Sequence, residues 1–519
     1  MFIHDFAVAD PDRTAVVMGA TGRRITYGEL DERSMRFARV LADLGLRRGD
    51  HYAVLMENHP SYFEVVWAGL RSGLYVTAVN GHLTADEAAY IVNDCGATVL
   101  VTSEALGELS VGMVDATPGV RARIAVDGVP PTGHLSYAEI GATAHGPLPD
   151  GEQRGMVMLY SSGTTGHPKG IEFPLPPQDS PLGEWEIAEH SRLRYGYTEE
   201  MVFLSPAPLY HAAPLRVSLA VQCLGGVVVV MERFDAAQAL ALMERERVTH
   251  TQWVPTMFVR MLKLPPEQRE RYDLSAHRLA VHAAAPCPIA VKEQMIEWWG
   301  PIVQEYYAGT ENVGSTAITS EEWLAHKGSV GRPSNGAVVH ICGDDGAELP
   351  VGEVGTVYFE DPAHTFEYHG DPDRTDRVHH PHHAGWRSLG DVGRVDEDGY
   401  LYLTDRLAFT IVSGGVNIYP QEIEDVLVAH PAVLDAAVFG VPNEEMGEEV
   451  KAVVQPIDAV GADAALVDEL LSWCAARLAG YKRPRTLELV DRLPRLDNGK
   501  LYKKALREQY WRDHETRVV

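Results

Sequence analysis

Along the N-terminal region the spacing of apolar residues switches repeatedly between helical and extended patterns. Thr26-Tyr27-Gly28-Glu29 has the form of a capping box, a hydroxyl followed three residues later by a glutamate. Leu30, Phe37, Leu41 and Leu44 then recur at helical spacing up to Gly45, which predicts a helix with one buried stripe. His51 to Leu55 reads as a strand, Ser61 to Arg71 as a helix and Tyr75 to Val79 as a second strand. A second capping box, Thr84-Ala85-Asp86-Glu87, opens another helix, and Thr98 to Thr102 is a further buried strand. This alternation predicts successive βαβ units with right-handed crossovers, hence an α/β fold around a parallel sheet.

The pattern breaks between Glu172 and Thr198, where Pro174, Pro176, Pro177 and Pro181 crowd a short span, so an irregular surface excursion is expected. Beyond it, Leu224 to Met231 reads as a buried strand and Ala236 to Arg247 as a helix. Past Arg406 the remaining chain has the size of a small, separately folding unit. The expected organisation is therefore a large N-terminal domain over 1–406 and a small C-terminal domain over 407–519.

Composition narrows the function classes. The chain has 519 residues, 45% of them hydrophobic, which is globular and too long for one core. A formal net charge of −28 opposes general affinity for nucleic acid or anionic lipid, so anionic ligands must be captured locally. Cys95, Cys223, Cys287, Cys342 and Cys474 lack any paired spacing, as expected of reduced thiols in a cytoplasmic protein. No stretch is apolar enough over a sufficient length to predict an integral membrane segment, and nothing in the sequence indicates an oligomer. His379-His380-Pro381-His382-His383 reads as a solvated loop and not as a metal site.

Candidate chemistry centres on Tyr160-Ser161-Ser162-Gly163-Thr164-Thr165-Gly166-His167-Pro168-Lys169-Gly170. Small residues let backbone N–H groups approach phosphate oxygens, the hydroxyls add rotatable donors, and Lys169 can neutralise the outer phosphates. A flexible Ser/Gly linker shares part of this composition but not the placed lysine. The ordinary ATPase loop, G-x-x-x-x-G-K-[ST], is not matched, because Pro168 precedes the lysine and Gly170 follows it.

This stretch resembles the phosphate loop of the acyl-adenylate-forming superfamily, which includes acyl-CoA synthetases, peptide-synthetase adenylation domains and firefly luciferases. Further segments resemble the same superfamily in order: Ala207-Pro208-Leu209-Tyr210-His211, Ala283-Ala284-Ala285-Pro286, Tyr306-Tyr307-Ala308-Gly309-Thr310-Glu311, Leu389-Gly390-Asp391, Thr404-Asp405-Arg406, Ser413-Gly414-Gly415 and Asp497-Asn498-Gly499-Lys500. The resemblance implies a large adenylate-forming domain with a β-barrel-like portion and a small, mobile α+β domain. It implies ATP and Mg²⁺, with CoA as co-substrate. Ser161 to Gly166 and Lys169 would hold the phosphates, with Thr310 donating to the α-phosphate and Glu311 supplying a hard oxygen to the metal. Ala284, Ala285, Pro286, Tyr306, Tyr307, Ala308 and Gly309 would face the adenine, Asp391 the ribose hydroxyls, and Arg406 the domain junction. Ser413, Gly414 and Gly415 would line the thiol tunnel. Lys500 would be the catalytic cation between carboxylate and α-phosphate.

His211, Trp253, Ala283 and Gly314, with Ala212 and Ala213, suggest a pocket for an apolar acyl body and offer no second cation. The implied reaction activates a hydrophobic carboxylic acid, fatty or bulky, as an acyl-adenylate and transfers it to CoA. The alternatives are an aryl-CoA ligase and a stand-alone enzyme loading a carrier protein. Two departures stand out: Ala408 where the family usually has a charged hinge residue, and Leu389 where threonine is common.

Overall fold

Glu29 donates its backbone N–H to the Thr26 hydroxyl at 3.2 Å while its carboxylate accepts the Thr26 N–H at 3.0 Å, closing the predicted box ahead of the helix Tyr27–Asp43. Thr84 and Glu87 do the same for the helix Ala85–Asp94. The structure is a computed structural model that describes residues 2–161, 168–361, 365–406, 409–414, 416–443, 445–458, 463–495 and 501–511, less the side chains of Arg406 and Lys504. The chain divides into two compact units: Met1–Gln252 with Glu270–Leu279 and Thr365–Asp376, and Trp253–Arg269 with Ala280–His364 and Arg377–Val519.

In the first unit His51–Leu55 lies parallel between Tyr75–Ala78 and Val99–Thr102. Tyr75–Ala78 and Val99–Thr102 are buried throughout, as strands covered on both faces must be. Ala122–Ala125 and Leu135–Ser136 extend the parallel sheet on one side and Met156–Ser161 on the other. Beyond Met156–Ser161 the pairing becomes antiparallel, through Lys169–Glu172 to Glu367–Tyr368. A second group of strands runs Arg24–Thr26, Thr14–Met18, Val227–Val230, Val202–Ser205, His250–Trp253.

Two sequence expectations need correction here. The buried strand begins at Val227 and not Leu224, because the helix Ala212–Cys223 runs up to that point and Gly225, at φ 81°, makes the turn. The excursion after Glu172 is irregular only through its prolines. Glu186–Tyr195 is a helix, stopped by Gly196 at φ 65°, with Ala188 and Ser191 buried and Trp185 edge-on to Trp67 at 5.4 Å.

In the second unit Leu279–His282 pairs parallel with Val303–Ala308, which pairs antiparallel with Ser315–Ile318. The expected barrel-like portion is an open antiparallel sheet, Val338–Cys342, Gly355–Glu360, Asp391–Val395, Leu401–Arg406, with Trp386–Arg387 beside Gly355–Glu360. No closed barrel forms among the described residues: its end strands do not pair with each other, and Leu401 meets Gly331 instead. The C-terminal part sets Ile411–Ser413, Val416–Ile418, Val433–Asn443, Gly447–Pro456 and Thr486–Leu489 against the helices Pro420–Val428, Ala464–Ala475 and Lys503–Trp511. Ile411, Ile418, Ile423, Leu427, Val438 and Leu470 fill its core, each such side chain contributing about 1.5–3 kcal/mol on burial. No helix among the described residues is long and apolar enough to cross a membrane.

Candidate active site

Ser161 ends one strand and Lys169 begins the next, and they are cross-strand partners, as are Tyr160 and Gly170. The loop between them is therefore closed at its base. Ser162, Gly163, Thr164, Thr165 and Gly166 lie outside the described residues. The Tyr160 hydroxyl donates to Asp94 at 2.5 Å, which fixes the entry to the loop. The Lys169 ammonium stands 5.0 Å from the Tyr368 ring centroid, so part of its approach is set by a cation–π contact. In the same unit Asn58 holds the segment before His211 by three bonds: its amide donates to the Ala207 and Met231 carbonyls and its oxygen accepts the Leu209 N–H at 2.7 Å. His211 follows as the N-cap of Ala212–Cys223, with its ring 4.4 Å from that of Tyr210.

In the second unit the hairpin from Val303–Ala308 to Ser315–Ile318 carries Gly309, Thr310 and Glu311 in its loop, which Asn312 closes by donating to the Gly309 carbonyl at 3.1 Å. The Tyr307 hydroxyl donates to Asp391 Oδ2 at 2.5 Å. Asp391 is buried and heads its strand in register with Arg406. Tyr307, Asp391 and the Arg406 backbone, distant in sequence, are thus brought together; the Arg406 side chain lies outside the described atoms.

Ala283 is buried and donates its N–H to the Trp253 carbonyl at 3.2 Å. Trp253 itself is buried against Phe258 and Trp299. Ala284 is exposed at φ 77°, a left-handed conformation that favours glycine, followed by Ala285 and Pro286. Gly314 does not open free space, because a Cβ there would fall 2.3 Å from the Phe359 ring.

Three features carry no sequence signal. Next to Ala283 to Pro286 in the chain, His282 Nε2 lies 3.6 Å from the Glu305 carboxylate, to which Lys292 donates at 2.6 Å, all three side chains being buried. Burial and the Lys292 ammonium hold His282 well below the ordinary imidazole range, so it is neutral. Burial raises Glu305 while Lys292 opposes the shift. Secondly, Trp386 is sandwiched between His340 at 3.6 Å and His383 at 4.1 Å. The histidine loop is solvated at His382 and His383, but His380 is buried and bonds the Gly346 carbonyl. Thirdly, Leu389 packs where residue 309 lacks a side chain. Among the described residues no group of three or more His, Cys, Asp or Glu side chains is arranged to hold a metal ion.

In the C-terminal part, Ser413 pairs with Val416 and Gly447. Gly414, at φ 57°, donates its N–H to the Met446 carbonyl at 2.8 Å. Gly415 and Lys500 lie outside the described residues. The segment containing Lys500 is bounded by an antiparallel bridge between Arg495 and Leu501.

The first unit carries a glycine- and hydroxyl-rich segment with a lysine, and the second carries a half-buried tyrosine bonded to a buried aspartate and a Thr-Glu turn, features of a nucleotide-using enzyme. The chain belongs to the AMP-binding enzyme family, which matches residues 3–369, with the AMP-binding enzyme C-terminal domain matching 422–500. It is similar to a feruloyl-CoA synthase of Amycolatopsis sp., 34% identical over 515 residues and covering 96% of each chain. It is also similar to the long-chain-fatty-acid–CoA ligase FadD13 of Mycobacterium tuberculosis, 32% identical and covering 97% of each. Among solved structures it resembles o-succinylbenzoate CoA synthetase (MenE) from Bacillus subtilis in complex with the acyl-adenylate intermediate OSB-AMP, at a TM-score of 0.81, 27% identity and 97% coverage of each chain.

Proposed function

We propose that this chain activates a hydrophobic carboxylic acid with ATP and transfers the acyl group to coenzyme A. The observation that carries the reading is the buried Asp391, bound by the Tyr307 hydroxyl and in register with Arg406, in a chain whose whole length parallels acid–CoA ligases. A carboxylate so placed can accept both ribose hydroxyls of a nucleotide. Ser161, the residues that follow it and Lys169 take the phosphates, and Ala284 to Pro286 with Tyr306 to Gly309 take the adenine. Thr310 donates to the α-phosphate.

Glu311 fits a Mg²⁺ ion carried in with the triphosphate, since that ion commonly takes one or two protein carboxylates and completes its octahedron with phosphate oxygens and water. Bound there, it would neutralise charge on the phosphates. Lys500 supplies a second cation where the acid's carboxylate meets the α-phosphate. The domain 407–519 then turns to offer the Ser413–Gly415 turn to the thiol. Of the residues suggested for the acyl group, His211, Trp253 and Ala283 remain its proposed lining, whereas Gly314 offers no room beside Phe359.

The likeness to a feruloyl-CoA synthase, at 34% identity, and to a long-chain-fatty-acid ligase, at 32%, supports an acid with an apolar body, either aliphatic or aryl. The test is pyrophosphate release with a panel of fatty and aryl acids, followed by thioester formation with CoA or with a holo carrier protein. A fatty or aryl acid should drive pyrophosphate release and CoA should accept the acyl group. No release with any acid would reject the reading, and acceptance by the carrier alone would move the protein to the carrier-loading class. Lys500→Ala should abolish most adenylate formation while sparing thioester formation from supplied acyl-adenylate.

A further inference from the structure

One buried carboxylate of the C-terminal part bonds both the strand Ile411–Ser413 and the helix Lys503–Trp511. Arg507 Nη2 donates to Glu448 Oε1 at 2.6 Å, with both side chains buried. The other oxygen of Glu448 accepts the Val412 N–H at 3.1 Å. Val412 lies in Ile411–Ser413, which leads directly into Gly414, and the Gly414 turn closes on Met446, two residues before Glu448. Arg507 lies in Lys503–Trp511, the helix that starts three residues after Lys500. Gly440 makes the arrangement possible, because a Cβ there would fall 2.4 Å from Glu448 Oε2.

The ends of the 496–500 segment are held separately. Arg495 grips Asp435 with two nitrogens, Tyr502 donates its N–H to the Pro494 carbonyl at 2.8 Å, and Lys503 pairs with Glu424 at 2.7 Å. Glu424 also accepts the Val438 N–H at 2.6 Å, but it makes no described contact with the strand Ile411–Ser413. Buried ions hold their geometry tightly, because displacing either partner leaves an uncompensated charge away from water. A carboxylate with one oxygen on each element therefore transmits a displacement of either to the other.

We propose that Glu448 is a positioning residue for both half-reactions, its single carboxylate tying the helix that follows Lys500 to the strand that leads into Gly414. The proposal rests on the functional reading above. Glu424, whose described partners are Lys503 and the Val438 N–H, serves adenylation alone.

The experiment uses the full chain as wild type, Glu448→Gln, Arg507→Lys and Glu424→Gln. Acid-dependent pyrophosphate release and thioester formation from supplied acyl-adenylate and CoA are measured separately, with a thermal melt for each variant. Glu448→Gln should lower kcat in both assays by about tenfold to a hundredfold, the size expected of a small misplacement, with KM for ATP near the wild-type value. Glu424→Gln should lower pyrophosphate release alone. Arg507→Lys, which keeps the buried charge paired, should lower both by a common, smaller factor and carries the test should Glu448→Gln not fold. A wild-type rate in either assay for Glu448→Gln, losses no larger than the unfolded fraction in the melt, or unequal losses in Arg507→Lys would each overturn the proposal while leaving the function intact. A wild type inactive in both assays would overturn the function and the proposal together.

Discussion

Leu389 Cδ1 lies 2.1 Å from the position a Cβ on Gly309 would occupy, so the leucine before Gly390-Asp391 sits in the space a side chain at 309 would need. The segment leading into Asp391 and the Thr310-Glu311 turn are thereby packed against each other, and the departure from threonine at 389 meets a residue without a side chain at 309. Gly309→Ala should cost about 1–3 kcal/mol of overpacking and lower kcat/KM for ATP. Leu389→Ala in the same chain should restore most of the loss. Additive effects in the double-mutant cycle would show that the two positions are not coupled.

Tyr307→Phe removes the donor to the buried Asp391 carboxylate. Hydrogen bonds to charged groups contribute about 1.5–3 kcal/mol, so KM for ATP should rise roughly tenfold or more. KM for the acid should stay within about a factor of two if Asp391 serves the ribose as proposed. Equal rises in both constants would argue against Asp391 as the ribose ligand.

Ala284 holds φ 77° with a Cβ present. The left-handed region costs an L-residue about 1–2 kcal/mol relative to glycine. Ala284→Gly should therefore raise the melting temperature, less the entropy that glycine adds to the unfolded chain. A fall of several degrees would contradict the backbone conformation at this position.

Burial pushes the Glu424 carboxyl up to about 7, with the Lys503 ammonium and the Val438 N–H opposing the shift and Asp405 reinforcing it. The neighbouring Asp425 on the same helix is raised to about 6, also by burial. Because the folded value lies above the unfolded one, the contribution of Glu424 to stability is complete below about 4.3 and is lost as the pH rises through about 7. Wild type should lose stability relative to Glu424→Gln between those limits, by an amount on the order of 3 kcal/mol. Melting curves of the two proteins that stay parallel from pH 5 to pH 8 would refute the shift.

Local pattern accounts for much of the first unit. Both capping boxes and the strand His51–Leu55 fall where spacing placed them, since each depends on residues a few positions apart. The helix Glu186–Tyr195 was not legible, because its only buried residues are Ala188 and Ser191 and it packs beside Ala212–Cys223.

The chain by itself determined which segments resemble the family's phosphate, ribose and thiol motifs, because stretches such as Ser161 to Lys169 and Leu389 to Asp391 are contiguous. Only the tertiary structure decided that Tyr307 bonds Asp391, that Leu389 fills the space above Gly309 and that Glu448 joins Arg507 to Val412. Those contacts join residues tens of positions apart, and their energy comes from burial and exact distance, which no local spacing encodes.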